Sequence, residues 1–132
     1  MTKEELIARN KTFIIEIMTL AASLPQNRIY DSLVRQLVRS SSSIGANYRA
    51  ACCAKSTPDF IHKLKIVEEE ADETTFFLDL LNELDKGNNK RKFDSLLKES
   101  NELVSIYSAS VITSKRKLAE TKNRTSKVEN QK

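Results

Sequence analysis

At 132 residues, with 39% hydrophobic and 30% charged side chains, the chain has the size and balance of one globular domain, too apolar for disorder and too polar for a membrane. Two glycines and two prolines supply too few turn formers for a β-sandwich or barrel, and too little material for the glycine-rich phosphate loops of parallel α/β folds. The formal net charge is +4, and the single histidine, His62, argues against most zinc sites and against Ser-His-Asp or Cys-His catalysis.

The composition therefore predicts an all-α fold, and the punctuation divides it into four helices. The first spans about 3–24 and stops at Pro25-Gln26-Asn27. Its opening, MTKEELIARNK, lacks an apolar core after a basic cap, so no secretory signal is expected. Between Phe13 and Leu24 the polar residues Glu16, Thr19 and Ser23 fall with Thr12 in one narrow strip, and the rest of the circumference is apolar. A bundle helix needs an apolar arc only somewhat over 100° wide. The surplus face, with Ile15, Met18 and Ala22, is the predicted surface for self-association.

The second helix spans about 28–55, with a core stripe of Ile29, Leu33, Leu37, Ile44 and Ala51 joined by Ser40 and Asn47. Gly45 within it costs about 1 kcal/mol against alanine, which a close approach of a neighbouring backbone would justify. The third spans about 58–86. Thr57 can cap it, Pro58 suits the first position, and Asp59 faces the positive dipole end. Its stripe is Phe60, Leu64, Val67, Ala71, Thr74, Phe77, Leu78, Leu81 and Leu84. Gly87-Asn88-Asn89 marks a left-handed stop. The fourth spans about 90–118, with Phe93, Leu96, Leu97, Val104, Tyr107, Val111 and Leu118 inward, and 119–132 reads as a basic, polar, disordered tail. Short connections force sequential helices antiparallel, giving an up-down-up-down four-helix bundle. No stretch approaches the roughly 20 apolar residues of a membrane span.

Charge is unevenly distributed: residues 1–58 carry net +4, residues 59–86 net −6 and residues 87–132 net +6. Arg28, Arg35 and Arg39 project within one arc of the second helix, with Arg49 nearby, and could line up phosphates. Arg39 has a structural reading as well. If the antiparallel turn centres near Ser56, facing residue numbers sum to about 112, so Arg39 lies level with Glu73 and Ser42 with Glu70. An Arg39–Glu73 ion pair follows. Lys115, Arg116 and Lys117, followed by Lys122, Arg124, Lys127 and Lys132, form a second candidate phosphate-binding segment. Aromatic residues are 6% with no tryptophan, so any nucleic-acid contact would be electrostatic and weakly sequence-specific.

Catalytic and metal chemistry find little support. Glu69, Glu70 and Glu73 evoke a di-iron bundle, but such bundles need two Glu-x-x-His motifs and His62 is preceded at that spacing by Asp59. No metal, cofactor or catalytic residue is therefore expected. Cys52 and Cys53 are adjacent, which suits reduced thiols in a small-residue patch better than a bridge, and predicts a cytoplasmic protein.

The run Arg39-Ser-Ser-Ser-Ser-Ile-Gly-Ala-Asn-Tyr-Arg49, followed by Asp59-Phe-Ile-His-Lys-Leu-Lys-Ile66 and Glu70-Ala-Asp-Glu-Thr74, resembles the bacterial 23S rRNA-intervening sequence proteins. These were first noticed as reading frames inside insertions in large-subunit ribosomal RNA genes. The resemblance covers roughly residues 5 to 118 and implies an antiparallel four-helix bundle with no known catalytic activity. Members resemble the accessory protein of diversity-generating retroelements, a basic pentameric barrel that binds nucleic acid and a reverse transcriptase. A homopentamer and an RNA or DNA partner are thus implied. The family commonly reads Asn-Tyr-Arg-Glu-Ala where this chain has Ala50 after Arg49, so an acidic neighbour is missing there. The expected function is a homo-oligomeric, non-enzymatic bundle that associates with nucleic acid. The alternative is an interaction scaffold or accessory subunit, for which the apolar face of the first helix would serve as the docking surface.

Overall fold

The computed structural model describes residues 1–130 and contains four helices: α1 (Lys3–Ser23), α2 (Arg28–Cys52), α3 (Thr57–Asp85) and α4 (Lys90–Asn130). Each boundary has a local cause. Thr2 and Glu5 form a reciprocal capping box at the start of α1, the hydroxyl accepting from the Glu5 amide and the carboxylate from the Thr2 amide. Leu24 is extended because the ring of Pro25 disfavours helical backbone in the residue before it. Asn27 caps α2 through its side-chain oxygen, which accepts from the Ile29 and Tyr30 amides. Ser56, rather than Thr57, caps α3, and Pro58 sits in the first turn where its missing N–H costs nothing.

The α3–α4 corner turns on two consecutive left-handed residues, Lys86 (φ 54°) and Gly87 (φ 85°). Asp85, buried although charged, accepts from the Asn89 amide at 2.5 Å and from the Asn89 side-chain amide at 2.9 Å. One carboxylate therefore closes the turn and faces the positive end of the α4 dipole.

Contacts fix the topology. Tyr30 donates to the Leu84 carbonyl, while Arg39 reaches Glu73 and Ser40 lies beside Thr74, so numbering rises along α2 as it falls along α3. Helix pairs touch in the cyclic order α1, α2, α3, α4 and back to α1, with α2–α3 and α3–α4 the intimate pairs and α1–α4 the loosest. The molecule is an antiparallel four-helix bundle. Its core runs from Phe13, Ile17 and Leu20 through Leu37, Ile44, Leu64, Val67, Leu78 and Leu81 to Phe93, Leu103 and Tyr107.

Three details depart from the stripes read in the sequence. Ile29 is exposed rather than buried, because it lies in the first turn of α2 beyond the neighbouring helix. On α3 the fully inward row is Ile61, Leu64, Val67, Ala71, Thr74, Leu78 and Leu81, and Phe60, Phe77 and Leu84 sit half-buried on its flanks. On α4, Ser100 and Leu103 are buried members that the earlier list lacks. The room at Gly45 is taken by a side chain rather than by the neighbouring backbone: a Cβ there would lie 2.8 Å from Ile14 Cδ1 of α1.

The expected disordered tail is corrected. Helix α4 continues without interruption through Asn130, and Lys132 lies outside the described residues. Extending an existing helix avoids the nucleation penalty that an isolated segment would face, and no glycine or proline follows Gly87. The Thr121 and Thr125 hydroxyls bond back to the Lys117 and Thr121 carbonyls. Val111 is the last buried residue, and every described side chain from Ala119 to Val128 is exposed, so this part of α4 overhangs the bundle.

One buried polar pair spans the bundle. Tyr107 donates to the Asn10 side-chain carbonyl, and burial pushes the tyrosine hydroxyl well above its ordinary range against the smaller opposing effect of that bond. Tyr107→Phe should lower stability by about 1–3 kcal/mol, because the Asn10 carbonyl is left without a partner in the core. Adding Asn10→Leu should recover part of that loss in a double-mutant cycle followed by urea unfolding. Additive losses would show that the two side chains are not coupled.

Candidate nucleic-acid interface

Two groups of cations were candidates, and the bundle keeps them apart. Arg28 and Arg49 stand near opposite ends of α2, roughly 31 Å apart at 1.5 Å per residue. Both are exposed, as is Arg35. Arg49 lies at the mouth of the groove between α1 and α2, beside Lys11. Arg39 is withdrawn from any stripe. It spans Glu70 (3.3 Å) and Glu73 on α3 and donates to Gln36 at 3.0 Å. Hydrogen bonding to Glu73 is the largest influence holding its guanidinium more firmly protonated than usual. The other level pair suggested by register, Ser42 with Glu70, is replaced by this second contact of Arg39.

Lys115, Arg116 and Lys117 stand where α4 leaves the bundle, and Lys122, Arg124 and Lys127 continue along the overhang. All six are exposed, and among the described residues none enters an ion pair. Core-stripe spacing persists into the overhang as Ser114, Leu118, Thr121, Thr125 and Val128, an uncharged row flanked on both sides by the cations. The helix thus presents about 220° of basic circumference when residues are placed at 100° intervals.

Three features escaped the sequence reading. Arg9 on α1 donates from Nε to Glu99 at 2.8 Å and from Nη2 to Glu99 at 2.5 Å and Glu102 at 2.6 Å, fastening α1 to α4 where their packing is loosest. These partners lie about ninety positions away in sequence, beyond the reach of a register set by one short turn. Lys90, Arg91 and Lys92 form a further exposed basic run at the opposite end of α4 from the overhang, and adjacency alone could have flagged it. Asp85, described above, is a buried cap with no local signal beyond its position before glycine.

Among the described residues no three histidine, cysteine, aspartate or glutamate side chains are grouped to hold a metal ion. Glu70 and Glu73 are turned to Arg39, Glu69 is exposed, and His62 is exposed beside the Asp59–Lys63 pair. The lysine bond is the main cause holding the Asp59 carboxyl below its ordinary range. Cys52 and Cys53 are free thiols, half-buried and exposed respectively. Burial, aided by Cys52, pushes the Tyr48 hydroxyl up to about 12. Among the described residues no helix is long and apolar enough to cross a membrane.

The surplus face of α1 lies open in the single chain: Ile15 is 54% exposed, Met18 41%, and Ala22 is exposed. With Ile7 and Ile14 it borders a groove against α2 at Gly45 and Ala46.

A family model described as "23S rRNA-intervening sequence protein" matches residues 3–109, and the chain belongs to that family. The match ends before the basic overhang begins. Among solved structures the chain is similar to a protein of unknown function from the S23 ribosomal protein family of Bacteroides thetaiotaomicron, with 30% identity and a TM-score of 0.72. That similarity covers 83% of this chain and 98% of the other. No curated protein matches.

The ion-pair geometry orders three substitutions. Arg9→Ala should lower the melting temperature most, because Arg9 is three-quarters covered and bridges two carboxylates. Arg39→Ala should have a smaller effect, since the side chain is 46% exposed and solvent screens the pair. Arg28→Ala should have almost none. Thermal unfolding followed by circular dichroism measures the order, and equal effects for Arg39 and Arg28 would deny the α2–α3 pair a structural role.

Proposed function

We propose that this member of the 23S rRNA-intervening sequence protein family is a non-enzymatic, homo-oligomeric cytoplasmic bundle that associates with RNA or other nucleic acid through electrostatics. The overhang of α4 carries the proposal. Six exposed cations, in no ion pair among the described residues, stand on the stretch of α4 beyond its last buried residue, Val111, and they lie beyond the segment shared with the family model. Cations with no structural partner, held clear of the acidic α3, suit phosphate contact and the release of condensed counterions. The exposed basic positions Arg28, Arg35 and Arg49 are secondary contacts in this reading. Free thiols fit a reducing compartment.

Self-association supports the same function, because several overhangs on one particle convert weak contacts into avid ones. Its support is the open apolar face at Ile15, Met18 and Ala22. A Met18→Lys variant would place a charge in the desolvated contact without a partner. It should sediment as a smaller particle with unchanged helical circular dichroism, whereas a wild-type chain that is already monomeric would refute the assembly.

Truncation after Ser114 tests the nucleic-acid contact. It removes seven basic and two acidic residues and takes each subunit from +4 to −1. The truncated chain should keep its helical bundle and lose RNA retention in a gel-shift assay at low salt. For the full chain, about six phosphate contacts imply an affinity loss of roughly a thousandfold between about 50 and 200 mM salt. Unchanged retention after truncation would move the site to the α2 arginines. No retention by the full chain at any salt would favour an interaction scaffold or accessory subunit.

A further inference from the structure

The bundle exposes a second apolar feature, on the side opposite the α1–α2 groove. Phe76 on α3 is 57% exposed, and it borders the α3–α4 face with Leu97. Its edge meets Phe77, half-buried beneath it, at 5.3 Å between ring centroids. Asp72 and Asp79 stand four residues before and three after it, hence on the same helix face. An exposed phenylalanine between two exposed carboxylates forms an acidic-rimmed knob.

The groove has the opposite chemistry. Ile7, Ile14, Ile15 and Met18 supply its apolar walls, and Lys11 and Arg49 stand at its rim. Gly45 lines its α2 side, where Ile14 Cδ1 comes within 2.8 Å of the place a Cβ would take. Among the described residues none of Lys11, Arg49, Asp72 and Asp79 takes part in an ion pair within the chain. Because α1 touches α2 and α4 but not α3 in the cyclic order, knob and groove occupy opposite sides of the bundle. They cannot meet within one molecule.

Scattered single hydrophobic residues on a surface require no explanation, but an apolar patch rimmed by charge does. Two apolar features with rims of opposite charge on opposite faces match a heterologous contact, in which the surface given and the surface received differ. We propose that Phe76 of one copy seats in the α1–α2 groove of the next, with Asp72 and Asp79 meeting Lys11 and Arg49; Arg49 then serves this contact and leaves the phosphate contacts to the overhang, Arg28 and Arg35. The proposal rests on the self-assembly reading above and specifies its partner surface. Register adds a geometric consequence. Phe76 lies level with about residue 37 of α2, roughly 12 Å along the bundle from Gly45, so neighbouring bundles are staggered or tilted rather than side by side in register. Tilted bundles close into a ring, and staggered ones extend as a helical array.

Sedimentation velocity of the full chain tests this with four variants. The wild type should run above subunit mass. Phe76→Ala, which suits a helix, should weaken assembly at least tenfold. Lys11→Glu with Arg49→Glu should give subunit mass, as should Asp72→Lys with Asp79→Lys. Mixing these last two doubly substituted chains in equal amounts should restore species above subunit mass, because the groove of one chain then faces a knob of opposite charge on the other. An unfolded chain could not produce that rescue, and circular dichroism checks each variant alone. If Met18→Lys dissociates the particle while Phe76→Ala and the aspartate reversals leave it intact, the groove is occupied by another surface and the proposal fails although assembly stands. If the wild type is monomeric, both fail.

Discussion

The antiparallel register of α2 against α3 is the constraint on which the other contacts depend, and small polar groups hold it. Ser40 and Thr74 are fully buried with their hydroxyl oxygens 2.9 Å apart, and Thr74 also lies 2.8 Å from the Glu70 carbonyl. Shifting one helix by a residue would break this inter-helix bond, worth about 0.5–1.5 kcal/mol, although each hydroxyl keeps a carbonyl of its own helix, Leu37 for Ser40 and Glu70 for Thr74. Arg39 extends the same registration to the surface through Glu70 and Glu73. With α2 and α3 fixed, α4 docks on α3 through Thr75 and Ser100, whose oxygens lie 2.6 Å apart. The first helix is added last in this hierarchy. It leans on α2 at Gly45 and is tied to α4 by Arg9 and by Asn10 with Tyr107.

That hierarchy also apportions the charge. The acidic third helix uses Glu70 and Glu73 on Arg39, and Glu99 and Glu102 of α4 neutralise Arg9. Arginine is the cation used at both inter-helix bridges, where its fork can satisfy two carboxylates at once. The cations of the overhang meet no such demand. What distinguishes a structural arginine from an available one is therefore the presence of a carboxylate at the same level of an adjacent helix, a property of register rather than of local sequence.

This explains how far the sequence could be read. Helix number, order and antiparallel sense follow from Pro25, Ser56-Thr57-Pro58 and Gly87, because those residues act on the backbone within one turn. Arg39 and Glu73 could be paired by arithmetic since a short turn ties their helices together. No such arithmetic links α1 to α4, so Arg9, Glu99 and the Asn10–Tyr107 pair were invisible. The fate of residues 119–130 was misread because composition was weighed where propagation decides. A polar, basic segment reads as a frayed tail when taken alone, yet it extends readily from a helix already formed. The excess apolar circumference of α1 was legible from Ile15 and Met18, but its complement on α3 was not. Phe76 and Phe77 are adjacent, and only the packed bundle shows that Phe77 turns partly inward and Phe76 outward.

The knob-and-groove contact and the overhang bear on one another through symmetry. Equivalent copies joined by a single heterologous contact are related by a rotation, with or without a translation, and in a closed ring every bundle axis has the same sense. The α4 overhangs then all emerge from the same end, near the C-terminus of α2 and Arg49. In the proposed function a single overhang, with its six exposed cations, makes only weak phosphate contact. Several held at fixed spacing on one face form a concentrated positive surface, and the linkage raises the effective concentration of each for a nucleic acid already held by another. An isologous dimer would behave differently, because its two-fold axis can send the overhangs to opposite ends. The physical link between an apolar groove on α1 and a basic helix far along the chain is thus the direction in which assembly points the overhangs.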